Sequence, residues 1–248
     1  MTVVLVHGNP ETAAIWDPLR AVLGRDDVVA LSPPGFGAPV ADGFGATSDD
    51  YMAWLVAELE ALDGPIDLVG HDWGGGHVQR LAATRPDLIR SWVTDIAGAA
   101  DPEYVWHDLA QVWQTPGDGE ALVEAMMTMP YGDRVGAYTE RGMTEPAARS
   151  CVEAMGPDMA RCILALYRSA AQPAMTAWGD ELEAAERRPG LVIIATADEF
   201  TGGPVLARRS AERFGADVAV LEGLGHWWML QDPEAGATAL RGFLDRLE

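Results

Sequence analysis

Two rhythms of apolar positions alternate along the chain. Short runs rich in Val, Ile and Leu, bounded by Gly, Pro, Asn or Asp, occur at residues 2–6, 28–31, 66–69, 91–96, 191–195 and 218–221. Such runs read as buried strands. Between them lie stretches with apolar residues three or four apart. Residues 11–23 place Ile15, Trp16, Leu19, Val22 and Leu23 on one helical face, and a second helix is expected from Ser48, as its cap, to about Leu62. Residues 204–214 repeat the pattern, and Asp232-Pro233 opens a last helix with cap and first-position proline in their preferred places. Strand, helix, strand with short connections predicts a doubly wound, mostly parallel α/β sheet.

From residue 98 to about 188 the strand rhythm stops. Trp106, Trp113, Met126, Met127, Met155, Met159, Tyr167 and Met175 fall there in helical surroundings. Two domains are therefore expected: an α/β core of residues 1–97 and 189–248, and a helical segment of 98–188 set into it. Met and aromatic residues at helical spacing are ordinarily core. In a segment laid across a sheet, the same adaptable side chains also suit an apolar lid.

The strand at 66–69 runs into Gly70-His71-Asp72-Trp73-Gly74-Gly75-Gly76, and helical spacing resumes at once with His77. A strand that turns directly into a helix, with small residues around the tip, predicts a nucleophile elbow. Its tip is Asp72 rather than Ser. A carboxylate with an ordinary pKa of about 4 is already an anion and needs no base to activate it. It suits attack on a saturated carbon bearing a leaving group, whereas attack on an ester carbonyl would give a reactive anhydride. The expected intermediate is an alkyl ester of Asp72, which water must then hydrolyse.

Asp198 follows the strand at 191–195, and His226 lies in the loop after the strand at 218–221. Carboxyl ends of parallel strands share one rim, so Asp72, Asp198 and His226 can meet there. In this reading His226 deprotonates the attacking water and Asp198 holds its tautomer. An oxyanion hole is expected from the N–H groups of Trp73 and of Asn9, in His7-Gly8-Asn9-Pro10.

Composition narrows the partners. Seventeen basic residues, all Arg, face 38 acidic ones, a formal charge of −21. That balance argues against nucleic acid, anionic membranes and anionic substrates. A small, apolar, uncharged substrate and water are the expected partners, without cofactor or metal. No apolar run is long enough to span a membrane and no basic leader is seen, which suggests a cytoplasmic protein. Cys151 and Cys162, if they share one helix, stand about 16 Å apart at 1.5 Å per residue, too far to bridge.

With its His-Gly-Asn-Pro loop, Asp elbow, Asp198 and His226, the chain resembles the haloalkane dehalogenase and epoxide hydrolase branch of the α/β-hydrolases, over nearly its whole length. The resemblance implies that residues 98–188 form a helical cap over the site. For a dehalogenase it implies a halide clamp of the Asn9 amide and the Trp73 indole N–H. For an epoxide hydrolase it implies cap tyrosines that protonate the opening oxygen. Tyr167 matches one of these. Leu109 stands where the other would be, with Tyr104 or His107 as substitutes if the helix is shifted. Trp106 and Trp113 are further pocket candidates. The haloacid branch is set aside because Trp73 follows the nucleophile where that branch has Arg. A binding protein without catalysis would not need all of Asp72, Asp198 and His226. The family's usual antiparallel strand pair before the His-Gly strand has no counterpart here, so residues 28–31 should form a sheet edge. A second copy of the chain, as a homodimer, or a reorganised loop is expected to protect it.

Overall fold

The computed structural model describes residues 1–247. Six strands form one sheet: β1 (Thr2–Val6), β2 (Val28–Leu31), β3 (Ile66–Gly70), β4 (Ser91–Thr94), β5 (Gly190–Ala195) and β6 (Asp217–Leu221). Their order is β2-β1-β3-β4-β5-β6, and every pairing is parallel rather than only most of them. The chain runs from β1 outward to β2, then crosses back to β3 on the other side of β1. This reversal opens a crevice at the carboxyl ends of β1 and β3, the usual ligand position in open parallel sheets. Val6 pairs with Gly70 and Gly70 with Thr94, so these strands deliver their following loops to one rim.

Alternation in β1 explains the layers. Val3 and Leu5 pack with Trp16, Leu19 and Leu240 on one face; Val4 and Val6 pack with Leu55, Val78 and Leu81 on the other. Both faces are covered, so the strand reads as an unbroken apolar run. Helices α1 (Asp17–Leu23) and α12 (Pro233–Leu244) cover the first face, with the short α11 (Trp228–Gln231) leading into α12. Helices α2 (Ser48–Glu60), α3 (Trp73–Thr84) and α10 (Gly203–Phe214) cover the second.

Between β4 and β5 the chain is helical throughout its regular structure. It contains α4 (Asp108–Gln114), α5 (Asp118–Thr128), α6 (Tyr131–Thr139), α7 (Glu145–Ala154), α8 (Pro157–Ser169) and α9 (Ala174–Ala184). A third apolar cluster joins this segment to the elbow, with Trp113, Met159, Ile163 and Tyr167 against Trp73.

Several local expectations change. Residues 11–23 are not one helix: a 3-10 turn at Ala13–Trp16 precedes α1, where Pro18 lacks the N–H needed to continue the ladder. The cap of α2 is Thr47, whose hydroxyl accepts from Asp50 N–H while the Asp50 carboxylate accepts from Thr47 N–H at 2.9 Å. Ser48 instead receives Arg80 at 2.7 Å. Cys151 and Cys162 lie on different helices, α7 and α8, as buried free thiols. The four-residue β2 does form an edge of the sheet, with each residue partly buried.

Candidate active site

Between β3 and α3 the chain turns through Asp72, whose φ of 49° and ψ of −125° are unusual for a residue with a side chain. Such backbone geometry costs on the order of 1–3 kcal/mol and persists only where its surroundings enforce it. Asp95, just after β4, does so by accepting the Asp72 N–H at 3.0 Å, and Gly76 N–H reaches Asp72 O at 3.1 Å. Gly74 is needed for close approach: a Cβ there would stand 2.1 Å from Val6 O.

The Asp72 carboxylate is shared between two environments. Oδ1 accepts the Asn9 backbone N–H at 3.0 Å. That approach requires Gly8, where a Cβ would fall 2.1 Å from Oδ1. Oδ2 faces His226, whose Nε2 is 3.9 Å away, too far for a direct hydrogen bond. Burial raises the Asp72 pKa to about 6, although the nearby His226 and His71 and the Trp73 N–H pull it down.

On its other side His226 Nδ1 is 2.9 Å from Asp198 Oδ2, and Asp198 Oδ1 accepts Phe200 N–H at 2.8 Å. Burial alone would raise the Asp198 pKa, but His226 and these bonds hold it below the ordinary value. An ionised Asp198 accepts the hydrogen bond of Nδ1–H, which leaves the unprotonated Nε2 to face Asp72. Burial and then His71 oppose the His226 imidazolium, yet Asp198 and Asp72 together outweigh them and raise the pKa. Asp72, Asp198 and His226, which follow β3, β5 and β6, thus converge on the rim.

Beneath them lies a group for which the motifs held no signal. His71 is fully buried between two carboxylates, Nδ1 at 2.5 Å from Asp95 Oδ2 and Nε2 at 3.2 Å from Glu11 Oε1. Both ring nitrogens face acceptors, so the ring is held as imidazolium: burial disfavours the charge, but Asp95 and Glu11 raise the pKa well above its ordinary value. Glu11 also receives Gly8 N–H and Trp227 Nε1–H, and Asp95 receives Trp228 Nε1–H. These donors are what make two buried carboxylates tolerable.

A cavity of about 220 Å³ opens above Asp72. Asn9, His107, Trp113, Met126, Tyr167 and His226 contribute to its wall. Both polar atoms of the Asn9 side chain are buried without a protein partner, as are the indole nitrogens of Trp113 and Trp106. Trp73 and Trp106 stand elsewhere, stacked at 5.8 Å, and line a second space of about 20 Å³ that also reaches Asp72 and His107. Asn9 and Trp73 therefore border Asp72 from different cavities. The Trp73 ring packs edge-on against Tyr167 at 5.2 Å, and the Tyr167 hydroxyl pKa is raised first by burial and then by Asp72.

The other candidate donors are differently employed. Tyr104 OH donates to Phe200 O at 2.8 Å, and Tyr138 OH to Pro10 O at 2.6 Å. His107 Nδ1 accepts Ala110 N–H at 3.2 Å, capping α4. Burial and then His226 lower the His107 pKa to about 4, so its proton sits on Nε2. Leu109, in the position expected of a tyrosine, lines the main cavity.

Among the described residues no helix is long and apolar enough to cross a membrane. The (E)-2-((N-methylformamido)methylene)succinate hydrolase of Acinetobacter baylyi is 32% identical over 89 residues, which is 35% of this chain and 34% of that one. The match thus spans only about a third of that relative's length. A haloalkane dehalogenase of Bradyrhizobium diazoefficiens is 26% identical over 87% of this chain and 76% of its own. Among solved structures, a loop variant of a haloalkane dehalogenase from Bradyrhizobium elkanii has a TM-score of 0.77, covering 99% of this chain and 89% of its own at 22% identity, a likeness of fold. The model of the alpha/beta hydrolase family matches residues 3–239, almost the whole chain, and the six-stranded sheet with its Asp-tipped elbow agrees: this protein belongs to the alpha/beta hydrolase family.

Proposed function

We propose that this hydrolase cleaves carbon–halogen bonds, as a haloalkane dehalogenase, with Asp72 as nucleophile, His226 as base and Asp198 as its orienting acid. Residues 98–188 serve as the cap over that site, and residues 1–97 and 189–248 as the core. Asp72 Oδ2, on the His226 side, attacks the saturated carbon, and the carbon–halogen pair leaves with the halide. Oδ1, already held by Asn9 N–H, becomes the carbonyl oxygen of the ester. A water in the gap between Nε2 and Asp72 gives its proton to His226 and attacks the ester carbon. The oxyanion on Oδ1 is stabilised by the N–H groups of Asn9 and Trp73. Collapse releases the alkoxide, which takes the proton back. Overall, haloalkane and water become alcohol, halide and a proton.

One observation carries this reading: the Asn9 carboxamide is buried, lines the main cavity beside Asp72, and has no protein partner. A buried amide in that condition is costly unless a ligand satisfies it. A halide needs N–H donors and no proton, so the Asn9 NH2 suits it; the Trp73 indole can share the halide only where the two cavities meet at Asp72.

Tyr167 favours a second reading, an epoxide hydrolase. It lines the same cavity as Asp72, and burial and the Asp72 charge keep its hydroxyl protonated. The neutral His107 could supply the second donor that Tyr104, committed to Phe200 O, does not. Ester or amide cleavage, to which the name of the Acinetobacter relative points, fits poorly with a carboxylate nucleophile. Bromide release from 1-bromobutane, abolished in Asn9→Ala, is the expected result. Diol formation from styrene oxide without bromide release, lost in Tyr167→Phe, would replace the first reading with the second.

A further inference from the structure

We propose that the substrate carries a carboxylate besides its reactive carbon, and that Arg134 of α6, helped by Arg141, binds it. Both arginines line the 220 Å³ cavity. Together with Ala137 and Tyr138 they form one face of α6 and the turn after it, at helical spacings of three, four and seven. Arg134 is partly buried, and its Nε is fully buried with no hydrogen-bond partner. Arg141 donates Nη1 to Ala137 O at 2.6 Å, which lays its side chain along the end of the helix.

Neither guanidinium has a carboxylate within 4.0 Å among the described residues, although the chain holds 38 acidic residues for 17 arginines. The contrast with Arg149 of the adjoining α7 is direct: that side chain pairs with Glu145 at 2.6 Å. An arginine left unpaired in an acid-rich protein, with a desolvated Nε at a cavity wall, is a site built for an anion from outside.

The cavity's other charges are at its catalytic end. Asp72 and Glu11 already accept protein donors, and neither reaches the arginines as an ion pair. Much of the remaining wall is apolar, with Leu122, Met126, Met129 and Met155. A haloalkanoate, with an alkyl chain separating its carboxylate from its carbon–halogen bond, matches that distribution. Its carboxylate is drawn to Arg134 and repelled by Asp72, so the molecule enters with the reactive carbon toward the nucleophile. The overall charge of −21 does not prevent this, because surface charges are screened beyond about 8 Å at physiological ionic strength whereas the cavity arginines act at contact. This departs from the uncharged substrate that composition alone suggested.

Only the choice of reacting group rests on the dehalogenase reading; the anion site can be tested apart from it. Hexanoate and its uncharged counterpart hexanamide are titrated against the intact protein by calorimetry at low and high salt. Hexanoate should bind at least about tenfold tighter, equivalent to about 1.4 kcal/mol. That preference should shrink with salt and disappear in Arg134→Met and Arg134→Gln variants whose near-ultraviolet circular dichroism is unchanged. Equal affinities in the parent protein, or a preference that survives both substitutions and Arg141→Met, would overturn the site. In parallel, kcat/KM for bromide release is compared between 6-bromohexanoate and 1-bromohexane, with the carboxylate expected to win by a similar factor. Hexanoate preference without bromide release from either compound would keep the anion site and reject the dehalogenase. Bromide release from both, with no preference for hexanoate, would do the reverse.

Discussion

The imidazole rings of His71 and His226 lie 4.5 Å apart, inclined at 52°, yet each is held by different carboxylates. His226 leans on Asp198 and keeps Nε2 toward Asp72, while His71 is locked below it between Glu11 and Asp95. The upper ring is placed to gain and lose a proton. The lower one is a fixed cation whose removal would strand two buried anions.

His71→Ala is therefore expected to destabilise the fold by about 3–5 kcal/mol, the usual effect of breaking a buried ion group. The pH dependence has a definite sign. The folded pKa of His71 lies above its unfolded value of 6.5, so its contribution is complete below pH 6.5 and is lost as pH rises through the folded value. Urea denaturation across that range measures it. A parent protein whose stability matches His71→Ala at neutral pH would remove His71 from any such role.

His226→Ala should stop after one chemical event. Alkylation needs only ionised Asp72, whereas hydrolysis of the ester needs a base, so the variant should release one equivalent of bromide and gain the alkyl mass on Asp72. Intact-protein and peptide mass spectrometry would detect it. Multiple turnovers in the variant would exclude His226 as the base.

That variant also separates two titrations. Asp72 must be ionised to attack, so the alkylation rate should fall as pH drops through a value near 6. The charge of His226 lowers the Asp72 pKa, so its removal should move the alkylation midpoint upward. In the parent protein, hydrolysis requires neutral His226, whose pKa is raised, and kcat should increase with pH past 6.5. Single-turnover quench measurements across pH 5–9 check both limbs; an alkylation midpoint that moved downward would contradict the coupling.

Gly8→Ala should preserve the fold and lose most of the activity. Its new Cβ would occupy space 2.1 Å from Asp72 Oδ1, pushing the carboxylate off Asn9 N–H. Loss of one such donor typically costs 10²–10³ in kcat, about 3–4 kcal/mol. Near-parent turnover, with an unchanged thermal midpoint, would show that the Asn9 contact is dispensable.

Much of this protein was legible in its sequence because the relevant physics is local. Buried parallel strands must be apolar on both faces, and a strand-to-helix turn crowded against its neighbours must be rich in glycine, so the sheet, the elbow at Asp72 and the loops carrying Asp198 and His226 stand out as patterns. The β2 edge followed from setting these strands beside those of the family the chain resembles. Tertiary structure alone decided what depends on chains folding back over long separations. Glu11 and Asp95 look like ordinary turn carboxylates until packing brings His71 between them and adds Trp227 and Trp228 from the far end of the chain. Trp73 follows the nucleophile in sequence, yet its side chain stacks on Trp106 and lines the smaller second space rather than the cavity that Asn9 and Tyr167 share. Net charge described the surface as hostile to anions, because composition is a sum. Only packing could place Arg134 against the cavity and leave it without a carboxylate, since the electrostatics of a site depend on which charges lie within a few ångströms and which are screened by solvent.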